Sequence, residues 1–205
     1  RAGALRYVTG HFIDGDHVRI TGLRLRGPSR DTNLKKPVAD GIFVPGKYVG
    51  PIIDHNDMSD WTQSAISIKG PNDSLWCSPT ALIHGLNIRV ARNFIHHNQN
   101  WDGGGYGVVT ASDGYLSIEA NTFLSNRHSI AADGTTHSGY RAWGNLVLMA
   151  TPDYSGHVPP HGPQQEFDVH GLGRRDANGE QIDSGSGHNG GFAGDYMDID
   201  QNTFL

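Results

Sequence analysis

"ARNFIHHN" at 91–98 and "EANTFLSN" at 119–126 share one frame: an asparagine, an aromatic one or two places on, and a second asparagine five residues after the first. Asn93 matches Asn121 in this frame, and Asn98 matches Asn126. Looser copies at "DHNDM" (54–58), "WGNLVL" (143–148) and "DQNTFL" (200–205) add Asn56, Asn145 and Asn202. By subtraction, the leading asparagines Asn56, Asn93, Asn121, Asn145 and Asn202 lie 37, 28, 24 and 57 residues apart. A short unit that recurs with variable spacing points to a coiling chain with insertions at its corners. One such unit cannot bury its apolar face alone and must stack on its neighbours.

A second line of the repeat lies downstream of the asparagines. It reads "AISIKG" (65–70), "VTASDG" (109–114), "SIAADG" (129–134) and "FDVHG" (167–171), each a short alternating run that stops at glycine. Alternation with period two is the mark of a strand with one face buried. Upstream, "HVRITGLRLRG" (17–27) alternates for longer through Val18, Ile20, Leu23 and Leu25. Spacing of i, i+3, i+4, i+7 is not sustained anywhere, so no amphipathic helix is predicted.

Composition agrees. The 28 glycines are roughly twice an average share, which suits short strands joined by tight turns rather than helices. A chain of 205 residues is read as one domain, residues 1–205. The net charge of -5 argues against a general nucleic-acid binder, which needs a basic surface to neutralise phosphates. No apolar run approaches a membrane span. The single cysteine, Cys77, excludes an internal disulfide framework and reads as a small buried filler. The opening "RAGALRYVTG" lacks a signal peptide's apolar stretch, and the chain stops at "DIDQNTFL" inside a repeat unit. These ends are expected to belong to a longer chain or to be covered by another chain, because a bare coil edge invites pairing.

The "ITGLRLRG" opening, the Asn-Phe and Asn-x-Phe units and the strand-then-glycine runs resemble right-handed parallel β-helix proteins of the pectate-lyase-like type, over most of residues 11–205. The resemblance implies an all-β solenoid with long loop insertions at coil corners, in which the recurring asparagines stack as an internal ladder. It also implies a secreted or extracytoplasmic protein acting on a polysaccharide, most commonly as a lyase or a glycoside hydrolase.

Aligning the runs on their glycines predicts a map of the faces. Ile66, Thr110, Ile130 and Phe167, with Ile68, Ser112, Ala132 and Val169, turn to the core. Lys69, Asp113, Asp133 and His170 form one outward column, and Ser67, Ala111, Ala131 and Asp168 the other. Stacked strands lie about 4.8 Å apart, so carboxylates and an imidazole gather on one shelf with small neighbours. Arg127 and His128 precede the third run, one coil from Gln164 and Gln165, and Tyr140 is the nearest phenol in the repeat. Two long stretches, "TPDYSGHVPPHGPQQ" (151–165) and 171–195, flank the "FDVHG" strand and are expected to wall a cleft.

For a lyase, His170 or His128 serves as base, Tyr140 as acid and Arg127 as neutraliser of a uronate carboxylate, with Asp168 beside the base. For a hydrolase, Asp168 and Asp133 supply the carboxyl pair. Asp113, Lys69, His161 and Arg174 are the candidate substrate-binding residues. The rival reading is a non-catalytic glycan-binding or structural module, for which Trp61, Trp76, Trp101 and Trp143 form no visible stripe. An epimerase on polymer sugars would need the same acid and base. Twelve histidines raise the question of zinc, and "DANGEQID" (176–183) that of calcium. No HExxH, cysteine pair or EF-hand loop is present, and no metal ligands are assigned. His96 and His97, as strand neighbours, are expected to point to opposite faces and not to share a ligand.

Overall fold

The computed structural model describes residues 8–28, 38–46, 48–69, 88–100, 104–111, 114–134, 139–148, 166–169 and 196–205. Among these the chain forms 18 strands and no helix, so no helix is long and apolar enough to cross a membrane. The strands make three parallel sheets of six. The first sheet holds β1 (Val8–Phe12), β4 (Ala39–Pro45), β7 (Ser64–Lys69), β10 (Tyr106–Ala111), β13 (His128–Ala132) and β16 (Phe167–Val169). The second holds β2 (Arg19–Thr21), β5 (Ile52–Asp54), β8 (Ile88–Ala91), β11 (Tyr115–Glu119), β14 (Gly139–Trp143) and β17 (Tyr196–Asp200). The third holds β3 (Arg24–Arg26), β6 (Asp57–Ser59), β9 (Phe94–His96), β12 (Thr122–Leu124), β15 (Leu146–Leu148) and β18 (Thr203–Phe204). The chain visits the sheets in rotation, and each strand pairs with the strand three places on. All four glycine-ended runs fall in the first sheet, as neighbours.

Alternation within these short strands builds the core. In the third sheet Leu25, Met58, Ile95, Phe123 and Val147 stack level with one another and are all buried. Ile42, Ile66, Val108 and Ile130 do the same from the first sheet, and Ile53, Val90, Ile118 and Ala142 from the second. Each large aliphatic side chain so buried contributes about 1.5–3 kcal/mol.

The corner between the second and third sheets has one construction. A left-handed residue comes first: Gly22, His55, Arg92, Ala120, Gly144 and Gln201 all have φ between 51° and 70°. Asn56, Asn93, Asn121, Asn145 and Asn202 follow, and their side chains form a ladder. Each Oδ1 accepts the backbone N–H of the position one repeat earlier, starting with Leu23. Each Nδ2 donates to a strand carbonyl, Val90 O in the case of Asn121. A second ladder joins Trp61, Asn98 and Asn126 at the next corner. The asparagines thereby satisfy backbone groups that a sharp bend takes out of the sheets.

Three expectations are corrected. Leu23 is not a buried member of one long strand: Gly22 turns the corner, and Leu23 stands exposed at the start of the ladder. Phe94 and Phe123 are not equivalent, because Phe94 is level with Thr122 and Ile95 with Phe123. One extra residue after the asparagine flips the ring from the exposed to the buried face. The glycine alignment is right for β7, β13 and β16, where Ser67, Ala131 and Asp168 are level through Val109, but two residues off for β10 against both of its neighbours. Lys69 is level with Ala111 rather than Asp113. Gly114 comes two residues later relative to the paired part of its strand than Gly134 does, and the Thr110 hydroxyl donates to the Gly114 carbonyl at 3.0 Å. A shift of two keeps the faces and moves the column.

The outer side of β2 and β5 carries a forked ion pair. Arg19 donates from Nε and a terminal nitrogen to the two oxygens of Asp54, at 3.0 and 2.5 Å, and His55 Nδ1 lies 3.0 Å from the same carboxylate. The hydrogen bonds from Arg19 hold the Asp54 carboxyl well below the usual range, against the opposing effect of burial. A depressed carboxyl stabilises the fold above the unfolded value, near 3.9, and this contribution is lost as pH falls through the folded value. Unfolding midpoints in urea should therefore drop below about pH 4. Asp54→Asn should remove part of that acid slope, and an unchanged slope would assign it to other carboxylates.

Candidate functional site

The site lies where the third-sheet corner feeds the first sheet. Ser125, in the left-handed region, and Asn126 in the second ladder turn the chain into Arg127 and His128. The Arg127 N–H is shared between the carbonyls of Asn98 and Gly105, and the His128 N–H points to Gly105 as well. Gly105 is itself left-handed at φ 101°, and a Cβ there would sit 2.6 Å from the Gln99 Cα, so only glycine fits. This fixes the start of β13 against the start of β10.

Level pairing then lines up Asp40, Ser64, Tyr106 and His128 across four successive strands. The Tyr106 and His128 rings stack at 5.3 Å with 21° between planes. The Arg127 guanidinium stands 5.8 Å from the Tyr106 ring centre. His128 Nε2 is 3.5 Å from an Asp168 oxygen, and both side chains are more than nine-tenths buried. Tyr140 is fully buried. Its hydroxyl has no hydrogen-bond partner among the described residues, and its pKa is pushed up to about 12 by burial and by the Asp168 charge.

Two further carboxyls stand at this edge. Glu166 accepts a 2.5 Å hydrogen bond from Ser129, and burial nonetheless raises its pKa. Asp40 is likewise raised by burial, against the opposing hydrogen bond from Ser64. Glu166 and Asp168 therefore sit two residues apart in different surroundings, one pushed towards its protonated form and one against an imidazole.

The structure thus brings together His128, Asp168, Tyr140 and Arg127. Asp133 stands apart: half-buried just past β13, it donates its N–H to the Thr110 carbonyl. That puts Asp133 in line with Ala111 and Lys69, the last of these exposed at the end of β7. His170, Asp113, His161 and Arg174 lie outside the described residues, as do Cys77 and the whole of the two flanking stretches, with Gln164, Gln165 and "DANGEQID" among them. Of the tryptophans, Trp61 is in the core and Trp143 is exposed beneath Arg141. Trp76 and Trp101 are not described.

The sequence alone did not single out Tyr106, Glu166 or Asp40. The available signal was "GGGYGVV", a phenol at the mouth of an apolar run. Among the described residues no group of three or more histidines, cysteines or carboxylates is placed to hold a metal ion. His96 and His97 do not diverge as expected: their Nδ1 atoms are 2.7 Å apart. No protein-family model, curated protein or solved structure matches this chain.

Proposed function

We propose that this chain is a secreted, right-handed parallel β-helix enzyme of pectate-lyase-like type that cleaves a uronate-containing polysaccharide by β-elimination. Three parallel sheets visited in rotation and two asparagine ladders support the solenoid reading. The observation that carries the activity is the joining of Arg127, Tyr106, His128 and Asp168 at one edge of the first sheet. Arg127 neutralises the uronate carboxylate, which makes the adjacent carbon acidic. His128, oriented by Asp168, takes that carbon's proton. The electron pair forms the new carbon–carbon double bond and expels the glycosidic oxygen. Half-buried Tyr106 protonates the leaving oxygen, a role better suited to it than to the fully buried Tyr140.

A second reading has its own observation. Glu166, with its raised pKa, and Asp168 have the contrast of environments that separates a general acid from its partner in a glycoside hydrolase. Incubation with a panel of uronate polysaccharides separates the readings. Elimination raises both the absorbance of the unsaturated product and the reducing ends. Reducing ends alone would transfer the proposal to hydrolysis. Binding without either signal would reduce the site to a glycan-recognition module.

A further inference from the structure

β9 ends at His96, and the ring of His97, the next residue along the chain, meets the His96 ring. Side chains of strand neighbours normally diverge, but His97 takes a left-handed φ of 55°, which swings its ring back beside His96. The two Nδ1 atoms are 2.7 Å apart, and the rings stand edge to face at 85°. The opposite nitrogen of His96, Nε2, lies 2.9 Å from an Asp57 oxygen. The other Asp57 oxygen accepts the Arg24 Nε–H at 2.9 Å. Phe94 stacks on the His96 ring at 4.2 Å and fixes its plane.

A carboxylate at Nε2 keeps the proton of a neutral imidazole on that nitrogen. The Nδ1 lone pair of His96 is then aimed at the Nδ1 of His97. A carboxylate behind a ligating imidazole is the arrangement that orients metal-binding histidines and raises their basicity. We propose that His96 and His97 form a bidentate chelate for copper(II), with Asp57 as the residue that positions His96.

Geometry selects the ion. With metal–nitrogen bonds of about 2.0 Å, a 2.7 Å separation closes at about 85° at the metal, the cis angle of a tetragonal site. A tetrahedral zinc would need the two nitrogens about 3.3 Å apart. Paired imidazoles also favour copper(II) over the other divalent first-row ions. His96 is 16% exposed and His97 half-buried, so water can complete the coordination. Without the ion the same contact is a hydrogen bond from the His97 Nδ1–H to the His96 Nδ1, and copper takes the Nδ1 position as that proton moves to the Nε2 of the same neutral ring.

The test is titration of the intact chain with copper(II), followed by electron paramagnetic resonance and calorimetry. His96→Gln, His97→Asn and Asp57→Asn are measured in parallel, and asparagine tolerates the left-handed backbone at position 97. The parent should bind one equivalent of copper(II) that shows two coordinated imidazoles, and should bind zinc more weakly at the same place. Either histidine variant should lose that equivalent with its thermal unfolding midpoint unchanged without metal. Asp57→Asn should weaken binding about tenfold. Copper binding of equal stoichiometry and affinity in His96→Gln and His97→Asn would overturn the proposal, as would zinc bound there as tightly as copper.

Discussion

Asn121→Leu is expected to lower the unfolding free energy by about 2–6 kcal/mol, from the desolvation of two stranded polar groups at about 1–3 kcal/mol each. The Asn121 Oδ1 accepts two 3.0 Å hydrogen bonds, from the backbone N–H and the Nδ2 of Asn93. Its Nδ2 donates to the Val90 carbonyl at 3.0 Å and to the Asn145 Oδ1 at 3.1 Å. Leucine keeps the approximate shape and removes every one of these partners. Asn93 N and Val90 O would stay in place without these partners, while Asn93 Nδ2 would keep its hydrogen bond to the Ile53 carbonyl. Asn202→Leu is the matched control. Asn202 sits half-buried at the last rung of the ladder, where it holds Asn145 and donates to Ala142 O. Water can replace its hydrogen bonds, so its loss is expected to cost about 1 kcal/mol. Urea unfolding of the two variants decides the matter. Equal losses would mean that the asparagines mark corners without holding them.

His128→Gln is expected to reduce kcat on a responsive uronate polysaccharide by about 10²–10⁴, the usual contribution of a positioned base. KM should move little, because the imidazole acts on the proton rather than on binding. Arg127→Ala should raise KM as well as lower kcat, since the guanidinium meets the carboxylate in both the bound and the transition states. Asp168→Asn should fall between them and shift the pH profile of kcat, because the carboxylate acts through His128. Thermal unfolding separates these effects from damage to the fold: Arg127 is half-buried and should leave the midpoint in place. Full elimination activity in His128→Gln would remove the imidazole from the proposed mechanism and leave Tyr106 to be tested as the base.

Much of the architecture is legible in the residues. The leading asparagines fall at one corner, and the second asparagines, Asn98 and Asn126, at the next. Side-chain amides placed where a chain bends have one economical use, which is to bond the backbone groups the bend releases. Ile130 and Phe167 could be matched because their runs reach glycine by the same number of steps. That match put Asp168 beside the β13 strand, and Arg127 and His128 at its entrance. The same counting put β10 two residues out of register, because Gly114 follows its paired residues at a greater distance than Gly134 does, and a glycine looks alike in both.

Local pattern therefore determined the strand class, the asparagine corners and many of the buried positions of this protein. These follow from side-chain period and from backbone hydrogen bonding within a few residues. Val169, assigned to the core, is nonetheless exposed, and Ala131 and Asp168, assigned outward, are buried. What only the tertiary structure decided are the contacts that depend on torsion and register between repeats. The stacking of Tyr106 on His128 is one, and the raised pKa of Glu166 is another. The meeting of His96 with His97 is a third, and there a single left-handed φ reverses what strand alternation predicts. A stacking distance or a buried carboxyl is set by neighbours tens of residues away, so no reading of adjacent residues contains it.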